Sequence, residues 1–160
     1  RCWLYKKYYE TGVEVIMKKM IYYTEQKRIL LDSGTNGRYN YYILNLGTHP
    51  TAYVQIPKGD KYYKKPHLAE EDLIVHGGIT YTKNTLRIGP RKEISGWFIG
   101  WDYAHCEDYY GAYPEYIDQS KQHKWKTSEI KYQVALVCSQ LESGNKVGIL
   151  KRLYYRIFRR

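Results

Sequence analysis

Two apolar runs organise this sequence: Leu-Ile-Val-His-Gly-Gly-Ile-Thr-Tyr at residues 73–81 and Gly-Trp-Phe-Ile-Gly-Trp-Asp-Tyr-Ala-His-Cys-Glu-Asp at residues 96–108. Their β-branched and aromatic content predicts a buried strand in each run. The turn-forming residues Gly89-Pro90-Arg91-Lys92 lie between them, so we expect the two strands to be antiparallel neighbours. That pairing would bring His76 close to the polar residues that follow the second strand.

Five polar residues at the ends of these runs form a candidate catalytic site: His76, Thr80, Asp102, His105 and Asp108. Imidazole exchanges protons near neutral pH, so a histidine here could serve as a general base or as a metal ligand. Asp102, His105 and Asp108 follow one another at three-residue steps, which would gather them on one side of a helical turn or along a tight loop. The paired glycines after His76 indicate a bulge or a close approach to the backbone.

Three interpretations of this polar cluster stay open. A carboxylate beside an imidazole fixes its tautomer and raises its basicity, which suffices for acid/base catalysis without a cofactor. Two histidines and two carboxylates could instead bind a divalent metal ion and leave one position for water, although the spacing matches no established metal motif. The cluster could also be structural or bind a ligand.

The chain of 160 residues predicts a single domain over residues 1–160, long enough to bury a core without disulfides or metals. Lys and Arg number 26 against 16 Asp and Glu. This net charge of +10 favours polyanionic partners such as nucleic acid, although AT-rich coding bias would produce the same excess. Six acids and no Lys or Arg lie between Glu93 and Asp118, so an acidic island surrounds the second apolar run.

Two basic segments are candidate nucleic-acid-binding surfaces. Residues 57–66 interleave four lysines with two tyrosines, and such a loop can follow a phosphate backbone while bases stack on the rings. A solvated loop with incidental tyrosines is the alternative. Residues 146–160 carry six basic residues and no acid. The candidate binding residues are Lys58, Lys61, Tyr62, Tyr63, Lys64, Lys65, Lys151, Arg152, Arg156, Arg159 and Arg160.

The remaining patterns predict an α+β fold. β-rich runs at residues 39–46 and 51–56 flank a four-residue turn and predict a hairpin, whereas residues 33–37 predict a loop. Apolar residues at helical spacing predict a helix over residues 127–143, capped by Thr127. We therefore expect a mainly antiparallel sheet of about five strands, packed by this one long helix. The spacing of the tail also allows a C-terminal basic helix.

The three cysteines are far apart and lack metal-binding spacing, which is typical of a reducing compartment. No apolar run approaches the ~18 residues of a membrane span, and the first residues contain no secretory signal. We therefore expect a soluble, cytoplasmic protein that does not associate with membranes.

Three motifs extend beyond the candidate site: Gly47-Thr48-His49-Pro50 with Tyr53-Val54, His76-Gly77-Gly78-Ile79-Thr80-Tyr81, and Trp97 with Gly100-x-Asp102-x-x-His105-x-x-Asp108. Together they resemble a family of small uncharacterised proteins carried by bacteriophages and other mobile elements. The resemblance covers roughly residues 45–141 and implies a phage-type protein in the cytoplasm of a bacterial host. Small basic proteins in that setting often disable host defence, including RNA-guided nucleases. The basic, Tyr-rich N-terminal third and the basic tail depart from the family pattern.

Two functions from different classes are therefore expected. The first is interference with a host defence system by binding nucleic acid, or a ribonucleoprotein such as an RNA-guided nuclease. The alternative is an enzyme that cleaves a phosphodiester or nucleotide bond with His76, Asp102, His105 and Asp108, and a divalent metal is its candidate cofactor.

Overall fold

The computed structural model describes residues 28–112 and 118–143. Its elements, in chain order, are β1 (Ile29–Asn36), β2 (Tyr39–Asn45), β3 (Pro50–Ile56), α1 (Pro66–Asp72), β4 (Tyr81–Gly89), β5 (Lys92–Asp102) and α2 (Thr127–Ser143). The strands form one antiparallel sheet in the order β1-β2-β3-β5-β4, which confirms the α+β prediction. The predicted C-terminal helix, with Lys151, Arg152, Arg156, Arg159 and Arg160, lies outside the described residues.

Each face of the sheet has its own core because side chains alternate between the two faces along a strand. One face packs with the buried side of α2 and comprises Tyr39, Tyr41, Ile43, Ala52, Val54, Ile56, Ile99 and Trp101. The other face buries a smaller cluster, Leu44, Tyr53, Leu86, Ile88 and Phe98. The two edges of the sheet contact each other, and Arg28, just before β1, donates from Nη1 to the backbone oxygen of Arg87 in β4 at 3.1 Å.

The predicted helix is present with the predicted bounds. Its apolar positions Ile130, Val134, Val137, Cys138 and Leu141 are all buried, as the helical spacing indicated. The prediction that Thr127 caps the helix was wrong. A capping residue precedes the helix, and Thr127 is already the first helical residue. The side chain of Glu129 reaches back instead and accepts from the backbone N–H of Lys126 at 2.7 Å. Neither described helix is long and apolar enough to cross a membrane.

The strand predicted over residues 73–81 was wrong. Only Tyr81 belongs to a strand, and residues 73–80 form an irregular loop between α1 and β4. The glycine pair explains this, because Gly77 and Gly78 have φ angles of 66° and 94° that an extended strand does not allow. The strand that precedes β5 in the chain and pairs with it is β4, which begins by pairing Tyr81 with Gly100.

Three elements, β1, α1 and β4, were not predicted. α1 begins at Pro66, whose fixed φ angle and missing N–H suit the first position of a helix. β4 is an edge strand, so it carries several exposed polar residues and lacks a strong apolar pattern. Residues 33–36, predicted as loop, extend β1, because pairing with β2 satisfies their backbone without any contribution from the small side chains.

Candidate functional site

Three connections meet beyond the end of β5 and bring the candidate residues together. His76 comes from the loop before β4, His105 and Asp108 from the turn after β5, and Trp125 from the segment that leads into α2. The backbone N–H of Asp108 donates to the carbonyl of His105 at 3.0 Å and closes the turn. The three-residue spacing thus produces a tight loop, one of the two predicted arrangements. We call His76, His105 and Asp108 the His–Asp cluster.

Asp108 is the centre of this cluster, and its side chain is only 1% exposed. Its Oδ2 atom lies 2.8 Å from Nε2 of His76 and 3.2 Å from Nδ1 of His105, and it also accepts from the backbone N–H of His105 at 2.9 Å. Its Oδ1 atom accepts from Nε1 of Trp125 at 2.6 Å. A carboxylate can only accept, so both histidines present an N–H to it.

These contacts decide the charge of the buried acid. Burial acts to raise the pKa of Asp108, but hydrogen bonds from His105, His76 and Trp125 outweigh it and hold that pKa well below its ordinary value. Asp108 is therefore an anion at neutral pH. The hydrogen bond between His105 and Asp108 raises the pKa of His105, although burial acts to lower it. The charge of Asp102 adds to the increase.

The ring of His76 is fixed by aromatic neighbours. It stacks on Tyr103 with centroids 4.9 Å apart and planes at 11°, and Trp125 meets it edge-on at 4.9 Å. The ring of His105 stands nearly perpendicular to it at 5.0 Å. His76 therefore has little rotational freedom, and its Nε2 atom stays directed at Asp108.

Gln140 of α2 anchors the loop that carries His76. Its Oε1 atom accepts from the backbone N–H of Ile74 at 2.8 Å, and its Nε2 atom donates to the carbonyl of Ile74 at 2.9 Å. The side-chain amide of Gln140 thus satisfies both backbone groups of Ile74, as a neighbouring strand would. Gln140, Tyr103 and Trp125 are supporting residues that the sequence did not reveal, since nothing in their local pattern sets them apart from core residues.

Gly77 is required by the position of His105. A Cβ atom built on Gly77 would lie 1.9 Å from Nε2 and Cε1 of His105, whereas one built on Gly78 would meet nothing within 4 Å. Both glycines have positive φ angles, so both positions strain any other residue. Only at Gly77 would a side chain also displace a member of the His–Asp cluster.

This difference gives a matched pair of variants. We expect Gly78→Ala to cost about 1–2 kcal/mol of unfolding free energy from backbone strain alone and to keep the function of the cluster. Gly77→Ala should carry the same strain and also lose function, because His105 must move. Urea denaturation beside an activity or metal-binding assay measures both effects. Equal functional loss in the two variants would show that the contact with His105 is irrelevant.

Two members of the cluster, His76 and Asp108, line a cleft of about 880 Å³. The cleft is lined by His76, Glu107, Asp108, Lys121, Gln122, His123, Trp125, Ser128, Glu129 and Tyr132. Three of these residues are carboxylates and one is a lysine, so the cleft continues the acidic island predicted from the sequence. His123 lies 3.3 Å from Oε2 of Glu129 through its Nε2 atom.

The other two predicted catalytic residues are placed differently. Asp102 borders the cluster, with Oδ1 at 4.0 Å from Nδ1 of His105, and the same oxygen accepts from the backbone N–H of Ala104. Thr80 is exposed and is absent from the residues that line the cleft. Its backbone N–H donates to the carbonyl of Gly100 at 2.9 Å, so its described contact is structural.

His49 is a neighbour that was not predicted as a site residue. Its Nδ1 atom lies 2.8 Å from Oγ1 of Thr48, and its ring stacks on Tyr110 at 5.3 Å. Burial lowers the pKa of His49, although the charges of Asp102 and Asp108 act in the opposite direction. His49 therefore supports the turn after β5 as a largely neutral ring.

The basic loop, residues 57–65, lies away from the cluster. The loop follows the last residue of β3, whereas Asp102 pairs with Thr51 near the start of that strand. Seven strand residues span about 20 Å, so the loop and the cluster lie at opposite ends of β3. Lys58, Lys64 and Lys65 are exposed, but Lys61 is bound to Oδ2 of Asp72 at 2.6 Å.

The structure corrects the role expected for Tyr62. The residue is 0% exposed, and its hydroxyl donates to Asp72 at 3.1 Å, so its ring belongs to the core and cannot stack on a base. Tyr63 is partly buried against the same core, and Lys64 lies over its ring at 5.8 Å. The aromatic component of the proposed nucleic-acid surface is therefore largely used for packing.

The two cysteines of the described residues have different states. Cys106 is disulfide-bonded, which leaves no thiolate beside His105. Cys138 is free and lies in the core, where burial raises the pKa of its thiol to about 12. Neither residue is a nucleophile or a metal ligand in this arrangement.

The His–Asp cluster could hold a metal ion. One donor atom from each of its three residues lies within 4.8 Å of the others. Donor atoms around a tetrahedral zinc ion are about 3–3.5 Å apart, and the 2.8 Å and 3.2 Å contacts of Asp108 approach those edges. Imidazole nitrogen and carboxylate oxygen are suitable ligands for such ions. Comparison with known proteins adds no assignment: no family model, no curated protein and no solved structure matches this chain.

Proposed function

We propose that this protein is a divalent-metal-dependent hydrolase that cleaves a phosphodiester or nucleotide bond. The observation that carries the proposal is the convergence of two imidazole nitrogens and one buried carboxylate, in a cluster of which His76 and Asp108 line a cleft. Three protein ligands leave further coordination positions for water and substrate, which is the arrangement of hydrolytic rather than structural metal sites. In a bound state, the metal would replace the ring protons that now face Asp108.

The surroundings of the cluster suit that role. Trp125 holds Oδ1 of Asp108 and thereby directs Oδ2 towards His76 and His105. Groups that orient metal ligands in this way typically affect metal affinity by 10–100-fold. Tyr103 stacks on the ring of His76 and also contacts Trp125, so the three rings hold one another in place. The ligand atoms are therefore positioned before any ion arrives.

The charges that line the cleft favour binding of a cation, and a bound cation would then favour binding of a phosphate. Glu107, Asp108 and Glu129 give the empty cleft an excess of negative charge over Lys121, which favours a divalent cation and disfavours a free phosphate. A bound ion would supply Lewis-acid stabilisation of a phosphoryl oxygen and a more acidic water. In the reaction, the oxygen of water bonds to phosphorus, the ester P–O bond breaks, and a proton from water reaches the leaving oxygen.

The test is metal titration of the whole chain. We expect Zn²⁺ or Mn²⁺ to raise the melting temperature, by an amount equivalent to about 2.7 kcal/mol at a free concentration 100 times the Kd. Hydrolysis of bis(p-nitrophenyl) phosphate should appear with the metal and stop with a chelator. His67→Ala is the matched control, because His67 is an exposed histidine of α1 outside the cluster. Unchanged melting together with chelator-resistant hydrolysis would contradict the proposal.

A second candidate function is the binding of nucleic acid, or of a ribonucleoprotein of a host defence system, as for a phage-type inhibitor. It is favoured by the exposed lysines Lys58, Lys64 and Lys65 on one loop. We expect such binding to weaken as salt is added. The logarithm of the binding constant should fall with the logarithm of the salt concentration, with a slope of about −0.7 to −0.9 per phosphate contacted. Filter binding of labelled RNA and DNA from low to high salt measures the slope. Changing the three lysines to Ser should flatten it, and binding indifferent to salt would exclude this surface.

A further inference from the structure

Two glutamines lie on the buried face of α2, among its apolar residues. Gln133 and Gln140 are both buried, and their spacing of seven residues places them on the same side of the helix. Burying an amide is unfavourable unless hydrogen bonds compensate, so glutamine is uncommon in such positions. Gln140 holds the backbone of the loop that carries His76. Gln133 contacts a different support of the same histidine.

Gln133 ends a buried chain of hydrogen bonds that runs from β5 to α2. Nε1 of Trp101 lies 2.9 Å from the hydroxyl of Tyr103, and that hydroxyl lies 2.8 Å from Oε1 of Gln133. An indole N–H can only donate, so the hydroxyl accepts from Trp101 and donates its own proton to Gln133. All three side chains are buried. Two directed hydrogen bonds therefore fix the hydroxyl end of the Tyr103 ring.

The ring of Tyr103 transmits this constraint to the His–Asp cluster. It lies nearly parallel to the ring of His76, with planes at 11° and centroids 4.9 Å apart, and Trp125 contacts both rings. Stacked rings are stable over a range of offsets, so the stack alone does not select one position for His76. Hydrogen bonds are directional, so the anchored hydroxyl of Tyr103 selects that position.

The second atom of the Gln133 amide argues against a role in stability alone. Its Nε2 atom is buried and has no hydrogen-bond partner among the described residues. A buried donor without a partner costs free energy, and a methionine of similar size would avoid that cost. Residues that break a rule of core packing in this way are typical of functional sites. The acceptor that Gln133 offers to Tyr103 is therefore its useful feature.

We propose that Gln133 is a positioning residue for the metal ligand His76 and that it acts through the hydroxyl of Tyr103. With Oε1 of Gln133 in place, Nε2 of His76 stays directed at Oδ2 of Asp108, 2.8 Å away. Gln140 positions the backbone before His76 and Gln133 positions its ring, so α2 holds this ligand through two separate contacts. The inference rests on the proposed function, because His76 is a ligand only if a metal binds.

Gln133→Met tests the inference, because methionine is similar in size and lacks the acceptor. Calorimetric titration of the whole chain with Zn²⁺ should show an affinity weakened by about 10-fold, the lower end of the range for groups that orient metal ligands. The absorption bands of bound Co²⁺ should shift, because they report the geometry of the ligands. Tyr103→Phe should act similarly, and the double variant should lose no more than either single variant, because all three lack the same hydrogen bond. Additive losses would contradict the path through Tyr103.

Val137→Ala is the matched control. Val137 is buried on the same helix and contributes to the core without belonging to this chain of hydrogen bonds. Its truncation should lower the urea midpoint and leave the Zn²⁺ affinity and the Co²⁺ spectrum as in the unchanged protein. If Gln133→Met also kept a normal affinity and a normal spectrum, Gln133 would be structural, and the hydrolase proposal would stand without this inference.

A measurement on metal-free protein keeps the two proposals distinguishable. In chelator, the ring protons of His76 should give NMR signals displaced by the aromatic ring of Tyr103 above which they lie, and Gln133→Met should move these signals. Such a dependence would support the positioning of His76 by Gln133 even if the chain bound no Zn²⁺ and the hydrolase proposal failed. Signals that stayed in place would overturn the inference whether or not a metal bound.

Discussion

Asp108→Ala is expected to lower the free energy of unfolding by about 3–5 kcal/mol in metal-free protein, the usual cost of removing one partner from a buried charged network. The carboxylate accepts from His76, His105 and Trp125 at 2.6–3.2 Å, and it is 1% exposed. Its removal leaves the indole N–H of Trp125 and the backbone N–H of His105 without their acceptor. Urea denaturation with chelator present measures the loss. If the unfolding free energy depends on urea concentration with an unchanged slope, the substitution has changed stability alone.

Asp102→Ala is the matched control for this change. Asp102 is an acid of the same loop region, but its side chain is 25% exposed and it lies 4.0 Å from the ring of His105. We expect its removal to cost about 1 kcal/mol or less, as for a pair accessible to water. Added salt should leave the Asp108 effect largely intact, because the carboxylate is shielded from ions. A loss at Asp108 no larger than at Asp102 would contradict the central role of Asp108.

The fold was predictable where side-chain burial repeats with a regular period. The β2–β3 hairpin and α2 each present a buried stripe at the spacing of their element, and both were predicted nearly to the residue. β1 and β4 form the sheet edges, where pairing depends on backbone groups and leaves much of the side-chain pattern free. Such strands carry a weak sequence signal whatever their stability.

The site was predictable only in part, for a different reason. His105 and Asp108 lie three residues apart, so their contact follows from local geometry once the turn forms. His76 reaches Asp108 across 32 residues and Trp125 reaches it across 17, and no local spacing encodes either contact. The Gly77-Gly78 pair did indicate a close approach to the backbone. What approaches Gly77 is the ring of His105 rather than a strand or a substrate.

His105→Ala and His76→Ala are expected to remove the function by more than about 100-fold, because even groups that only orient metal ligands cost 10–100-fold when changed. The two variants should differ in stability. The side chain of His105 is 36% exposed, and without it Asp108 keeps the hydrogen bonds from His76, Trp125 and the backbone. We therefore expect His105→Ala to change the unfolding free energy by no more than about 1 kcal/mol.

His76→Ala removes a ring packed against both Tyr103 and Trp125, and aromatic contacts of this kind contribute about 0.5–1.5 kcal/mol each beyond burial. This variant should therefore lose both function and stability, whereas His105→Ala should lose function alone. Metal titration, phosphodiester hydrolysis and urea denaturation of the two proteins, beside His67→Ala, give the comparison. If His105→Ala retained metal binding and activity, or lost them only in proportion to its stability, the cluster would be a structural link between loops. The function would then have to be sought on the lysine-bearing surface at the other end of β3.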